Sequence, residues 1–206
     1  MRVRPVGAEA LLLEVDDPTA WFTELCRRRA AGELTVVDIV PGARTVLLDG
    51  LADPAGTAEQ VRGWAPPDGP SRPSGPIVDI PVVYDGQDLP SVAARWGVTE
   101  PEVIARLGAT EFRVDFCGFA PGFAYLSGLP AEFSVPRLPT PRPRVPAGSV
   151  ALADTYAGIY PTSTPGGWRL IGRTDVVLFD PDRSTPALLT PGTRVRFVER
   201  PGERST

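Results

Sequence analysis

The sequence predicts an α+β protein in two parts: a small N-terminal α+β unit followed by a strand-rich unit of barrel or sandwich type. Three observations predict this. Apolar runs and helix-start signals in the first 65 residues follow the order β-β-α-β-β-α. That order places helices on one face of a mostly antiparallel sheet. The stretch 66–76, PPDGPSRPSGP, holds five Pro and two Gly with no other apolar side chain and reads as a linker, or else as a long loop within one domain. Beyond it, short strands recur between Gly/Pro turns. The expected division is therefore 1–76, the α+β domain with its Pro-rich linker, and 77–206, the strand-rich domain.

Each element has its own signal. Val3–Val6 and Ala10–Val15 are candidate strands. Asp17-Pro18 opens a helix, because proline early in a helix loses no needed N–H. Trp21, Phe22 and Leu25 give that helix an apolar face, Arg27–Arg29 suit its C-terminal dipole, and Gly32 stops it. Thr35–Val40 and Thr45–Leu48 flank the turn Pro41-Gly42-Ala43-Arg44. Asp53-Pro54 caps a second helix running to about Trp64. Past the linker, Ile77–Tyr84 is a strand and Leu89–Trp96 a short helix. Thr99-x-x-Glu102 is a capping box for another helix. Phe112–Cys117 alternates apolar and polar residues and predicts a half-buried strand. Ser149–Ala153, Trp168–Ile171, Val176–Phe179 and Arg194–Val198 are further strands, and 199–206 is a frayed tail.

Composition narrows the chemistry. The chain has 206 residues, 42% of them hydrophobic, with a net charge of −4. Its pI near 5.0 argues against a general nucleic-acid binder. No apolar stretch approaches the roughly 18 residues of a membrane span, and Ala10–Val15 is too short for a secretory h-region. Cys26 and Cys117 stand far apart outside any CxxC context, as reduced thiols in a cytoplasmic protein would. There is no His, no Lys and no Asn; all 21 basic residues are Arg. This removes histidine-based triads, Schiff-base lysines and the P-loop lysine, and it leaves no metal ligand set.

Residues 117–173 concentrate the functional signal. This block of 57 residues holds 9 Pro and 8 Gly, yet seven aromatic residues are interleaved with them. Prolines fix φ, glycines allow close backbone approach, and the aromatic surface offsets chain entropy, so an ordered surface is expected. Pro121-Gly122 predicts a type II turn presenting Phe119, Phe123 and Tyr125 around one bend. Those rings either plug a barrel end or form a pocket wall or partner-docking ridge. The run Pro136–Pro146 alternates Pro with Arg137, Arg142 and Arg144 in an extended form. Arginines on a stiff backbone suit bidentate recognition of carboxylate or phosphate, or else pair with surface acids. Ala147-Gly148-Ser149 and Ser163-Thr164-Pro165-Gly166-Gly167-Trp168 are turns able to aim N–H groups at an anion, or plain turns between strands. Asp115, Asp154 and Asp175 are the carboxylates nearest these loops in sequence.

Four motifs then carry a resemblance: GFAPGFAYLSGLP, VPRLPTPRPRVPAGSVALA, GIYPTSTPGGW and IGRTD…LFDP…LLTPGTRVRF, in order across residues 118–197. They resemble the KipI-like family, also known as allophanate hydrolase subunit 1 or as the B-type subunit of bacterial 5-oxoprolinase. Phe119, Pro121, Gly122, Phe123, Tyr125, Arg137, Arg142, Pro146, Gly148, Ser149, Tyr160, Pro161, Gly166, Gly167, Trp168 and Arg173 stand where the family's motifs have them. Departures are Leu107-Gly108 in place of a His-Ser pair, Ala124 in place of Pro, Asp154–Gly158 in place of a Gly-x-Gln-Thr-Gly stretch, and Asp175 in place of Pro.

The resemblance implies a small α+β domain followed by a cyclophilin-like β-barrel. It implies a KipA-like partner, which is the C-type member of the 5-oxoprolinase complex or allophanate hydrolase subunit 2. With a further, A-type member, such complexes open 5-oxoproline to glutamate at the expense of ATP, which this chain need not itself bind. One branch of the family instead inhibits a histidine kinase, the alternative being a non-catalytic regulator. On the hydrolase reading, Arg137, Arg142 and Arg144 clamp a carboxylate or phosphate. Ser149, Ser163 and the Gly166-Gly167 N–H groups hold an oxyanion. Phe119, Phe123, Tyr160 and Trp168 exclude water, and Ser149 and Arg142 are the expected catalytic pair. Pro121, Tyr125 and Arg173 complete the expected binding surface.

Overall fold

Leu11 lies opposite Leu48 and Leu13 opposite Val46, and this pairing organises the first unit of the computed structural model. The structure describes residues 1–66 and 77–201. The expected linker, apart from Pro66, and the last five residues of the expected tail lie outside them. The chain divides into two compact units, Met1–Ser74 and Gly75–Thr206.

The first unit runs β1 (Arg2–Val6), β2 (Ala10–Glu14), α1 (Pro18–Ala30), β3 (Asp38–Pro41), β4 (Thr45–Asp49) and α2 (Pro54–Arg62). The strands form one antiparallel sheet in the order β1-β2-β4-β3. Asp17 caps α1 by accepting from the Ala20 N–H at 2.9 Å, and Asp53 caps α2 through the Gly56 N–H at 2.9 Å. Leu11, Leu13, Val46 and Leu48 from the sheet, Trp21 and Leu25 from α1, and Val61 from α2 make a single core. Glu24 is buried on α1, where its carboxylate meets Arg27 Nε at 2.8 Å and Arg28 Nε at 2.7 Å. The strand expected over Thr35–Val40 starts later and ends at Pro41, and Val37 stands exposed before it.

The second unit runs β5 (Ile77–Val82), α3 (Leu89–Trp96), α4 (Glu100–Ala109), β6 (Phe112–Cys117), β7 (Ala124–Ser127), a 3-10 turn (Ala131–Phe133), β8 (Arg142–Val145), β9 (Ser149–Ala153), β10 (Tyr156–Ile159), β11 (Thr164–Gly166), β12 (Arg169–Arg173) and β13 (Arg194–Glu199). Seven strands order as β12-β9-β10-β7-β6-β13-β5, with β13 and β5 parallel. Val83 and Arg173 exchange two backbone hydrogen bonds of 2.9 Å, a single bridge that brings the two edges together and leaves the sheet nearly closed and barrel-like. Ile80, Val82, Phe112, Val114, Leu126, Val150, Leu152, Val195 and Phe197 share a core with Val92 of α3 and with Val103 and Leu107 of α4. Leu107 is thus a core residue.

β9 is buried along its whole length, on both faces. Its even positions fill the barrel. Ala151 and Ala153 belong to a second cluster with Phe123, Val145, Tyr160, Trp168 and Leu170, beside which β8 and β11 pair as a separate two-stranded ribbon. The segment Val176–Phe179, expected as a strand, makes only isolated bonds: Leu188 N–H to Leu178 O and Asp180 N–H to Pro186 O, both 2.9 Å. No helix among the described residues is long and apolar enough to cross a membrane.

Candidate functional site

The loop 118–123 forms as its residues require. Phe123 N–H donates to Ala120 O at 2.9 Å across Pro121-Gly122, and Gly122 has φ +81°, the left-handed angle of a type II turn. Immediately before it, Ala120 N–H donates to Gly118 O at 2.9 Å, closing a three-residue turn with Phe119 at its centre. Phe119 therefore adopts φ +72° and is 62% exposed. A bulky residue in this region is strained, and such strain persists where the surroundings enforce it. Phe119 rests edge-on against Phe123 (5.3 Å between centroids) and Tyr160 (6.3 Å). Phe123, Tyr160 and Trp168 are themselves buried, so they form the packed base beneath Phe119 rather than an open wall. Tyr125 stacks on Phe116 at 4.2 Å and meets Trp168 at 5.5 Å. Pro121 is exposed at the turn.

The arginines of the Pro/Arg run divide into two sorts. Arg142 is committed internally: Nη2 donates to both oxygens of Asp88 at 2.9 and 2.8 Å, and Nη1 to Trp168 O at 3.2 Å. A substrate clamp expected at Arg142 is thus corrected, because its charge is already neutralised by a buried carboxylate. Arg137 lies over the Trp168 ring at 5.8 Å, and exposed Arg144 donates from Nε to Ser163 Oγ at 3.0 Å. Neither meets a carboxylate among the described residues. Arg173 is exposed and its Nε donates to Asp85 at 2.8 Å. It lines a small cleft of about 130 Å³ at the barrel seam, with Pro81, Val83, Thr174, Asp175, Arg200 and Pro201.

The expected anion nest at Ala147-Gly148-Ser149 is also corrected. Gly148 N–H donates to Tyr160 O at 2.7 Å and Ser149 N–H to Pro146 O at 3.3 Å, so neither is free for an oxyanion. Ser149 is only 6% exposed. Gly148, at φ +78°, is required by packing, since a Cβ there would lie 2.2 Å from Thr174 O. At Gly166 a Cβ would meet the Tyr160 hydroxyl at 2.2 Å, and Gly167 O accepts from Leu138 N–H at 2.7 Å. These glycines let the ribbon lie close to the aromatic cluster. Burial raises the Tyr160 pKa, opposed by a hydrogen bond from the Trp168 backbone and by the charges of Arg137 and Arg142. The Cys117 thiol is pushed up by burial, which makes it a poor nucleophile at neutral pH. Asp115 accepts from Ser127 Oγ at 2.6 Å, Asp154 sits in a turn at φ +51°, and Asp175 pairs with Arg200 at 2.9 Å.

Phe119, Phe123, Tyr125, Tyr160, Trp168 and Arg137 thus come together, with Arg144 and Ser163 on the adjoining ribbon. Sequence reasoning missed Asp88. It precedes Leu89-Pro90 and reads as an ordinary helix cap, so nothing in the local sequence marks it as the partner of Arg142 54 residues away.

The carboxyltransferase domain, subdomain C and D, matches residues 1–189 of this chain. The B subunit of 5-oxoprolinase from Escherichia coli O157:H7 is 39% identical over 204 residues, which cover 94% of this chain and 93% of that protein. That of Bacillus subtilis (strain 168) is 46% identical over 125 residues, 59% of this chain and 52% of that protein. The solved structure of TTHA0988 is 36% identical with a TM-score of 0.77; it covers 98% of this chain, which spans 41% of the TTHA0988 chain. None of these names favours the kinase-inhibitor alternative. With the match extending through both units and the four motifs in place, the chain belongs to the carboxyltransferase subdomain C and D family, within the KipI-like branch that holds the 5-oxoprolinase B subunits.

Proposed function

We propose that this chain is the B-type member of a cytoplasmic, multi-chain hydrolase that opens 5-oxoproline to glutamate with ATP, working with a KipA-like partner and an A-type member. The carrying observation is the 39% identity to a 5-oxoprolinase B subunit over 94% of the chain. The geometry supports a contributing role rather than a self-sufficient one. Ser149 is buried with its backbone N–H engaged, and Arg142 is paired with Asp88, so the residues first expected to do chemistry face inward. What faces outward is Phe119 over Phe123 and Tyr160, Arg137 over Trp168, and Arg144 with Ser163 at the ribbon. On this reading Phe119 docks the partner, and Arg137 and Arg144 hold the substrate carboxylate through charge-assisted hydrogen bonds. Groups from the companion chains complete the site and bind ATP.

The test is reconstitution. Glutamate release from 5-oxoproline is measured with ATP and with all three proteins, then with each omitted. Release that requires this chain supports the reading. No release from the full set, or equal release without this chain, overturns it.

A further inference from the structure

We infer that Asp88 is a positioning residue of the proposed site: its buried carboxylate fixes Arg142 and, through Arg142, sets Trp168 and the guanidinium of Arg137. This rests on the functional reading above for its kinetic consequence, but not for its structural one.

The first observation is a cap that does not cap. Asp17, Asp53 and the Thr99/Glu102 pair each direct their side chains to the first turn of their own helix. Asp88 occupies the same position before α3 and makes no side-chain cap hydrogen bond. Aspartate at this position normally satisfies an orphan N–H, so α3 forgoes a standard stabilisation. A local rule broken without local gain points to a requirement elsewhere.

That requirement is visible. The Asp88 carboxylate, in a residue only 7% exposed, takes Arg142 Nη2 on both oxygens and the Leu170 N–H on Oδ2 at 2.7 Å. The Asp88 backbone N–H returns a bond to Leu170 O at 2.9 Å, so the residue is held to β12 from both sides. Turning the Gln87 amide places its oxygen 2.7 Å from Arg142 Nε, which occupies the remaining edge of the guanidinium. From Arg142 the contacts continue without a gap. Nη1 bonds Trp168 O, Gly167 O holds Leu138 N–H, and the Trp168 ring carries Arg137. A desolvated ion pair adds little net stability over an apolar substitute, whereas removing one partner strands a charge. Its retention here fits a role in fixing geometry.

The experiment uses the assembled complex carrying Asp88→Asn, which keeps the shape and the acceptor for Leu170 but removes the charge. The KM for 5-oxoproline is expected to rise at least about 10-fold while kcat changes by less than about 3-fold, since a displaced Arg137 weakens substrate and transition-state binding together. Asp88→Glu, which restores the charge, is expected to recover part of the KM. In parallel, the chain is labelled with fluorotryptophan and its 19F spectrum recorded, with the Trp168 signal assigned from Trp168→Phe. Asp88→Asn is expected to shift or broaden Trp168 and leave Trp96 in place. Should that variant fail to fold, Asp88→Asn with Arg142→Gln removes both charges and is read in the same two ways. A Trp168 signal and KM at wild-type values in a folded variant overturn the inference, as does equal disturbance of Trp96 and Trp168. A wild-type complex inactive on 5-oxoproline sinks the functional reading alone, and the Trp168 signal still decides the role of Asp88.

Discussion

Phe119 holds a backbone angle that side chains avoid, in the most solvent-exposed aromatic position of its loop. Strain of this kind costs on the order of 1–3 kcal/mol, and glycine would be free of it. Phe119→Gly is therefore expected to leave thermal stability unchanged or slightly raised while, on the proposed function, weakening association with the proposed KipA-like partner at least about 10-fold, as loss of a central apolar anchor does. Melting and titration calorimetry check both halves; unchanged affinity would remove Phe119 from the docking surface. Glu24 gives a different prediction. Hydrogen bonding to Arg27, then to Arg28, holds its carboxyl below the usual range despite the opposing effect of burial. A carboxylate more acidic in the folded state than in the unfolded one contributes stability above the unfolded pKa of about 4.3. That contribution is lost as pH falls through the lower folded value. Melting temperature should thus drop more steeply from pH 5 to pH 3 in the wild type than in Glu24→Gln, and parallel slopes would contradict the assignment.

Turns and caps were the most legible elements, because their chemistry is local. Asp17-Pro18, Asp53-Pro54 and the Thr99/Glu102 box fixed three helix starts, and Pro121-Gly122 gave its turn type. The turn supports a test: at Gly122 a Cβ would lie 2.5 Å from the Phe179 Cβ, at a φ that alanine resists. Gly122→Ala should cost about 1–3 kcal/mol in denaturant unfolding, and a neutral result would mean that the loop yields. What escaped the sequence was everything set by distant partners. Ser149–Ala153 reads as a barrel strand, yet nothing in it announces that Phe123, Tyr160 and Trp168 cover its outer face. The same rings read as pocket wall or plug, and only packing shows them to be a second core. Val176–Phe179 has strand composition, but its backbone finds only scattered partners, so composition misled. Arg142 reads locally as a clamp and Asp88 carries no local signal of its own, yet the two side chains turn to each other. At the site, the bend that carries Phe119 and Phe123 is legible in Pro121-Gly122, whereas the inward commitment of Arg142 and Ser149 is not.

At the scale of the molecule, each unit has its own apolar core: Leu11, Leu13 and Leu48 in the first, Phe112, Val195 and Phe197 in the second. Leu48→Ala should cost about 2–5 kcal/mol and lower amide protection in residues 1–66, leaving protection in β6 and β13 unchanged. Loss of protection in both would show a single cooperative unit. The bridge between Val83 and Arg173 also bears on behaviour in a crowded solution. At that seam the sheet offers strangers less unpaired backbone, whereas the four-stranded sheet of the other unit keeps two open margins. There the margins are β1, with Arg2, Arg4 and Pro5, and β3, with Asp38 and Pro41. Charged side chains and missing donors guard those margins by chemistry, where the barrel seam is guarded by geometry.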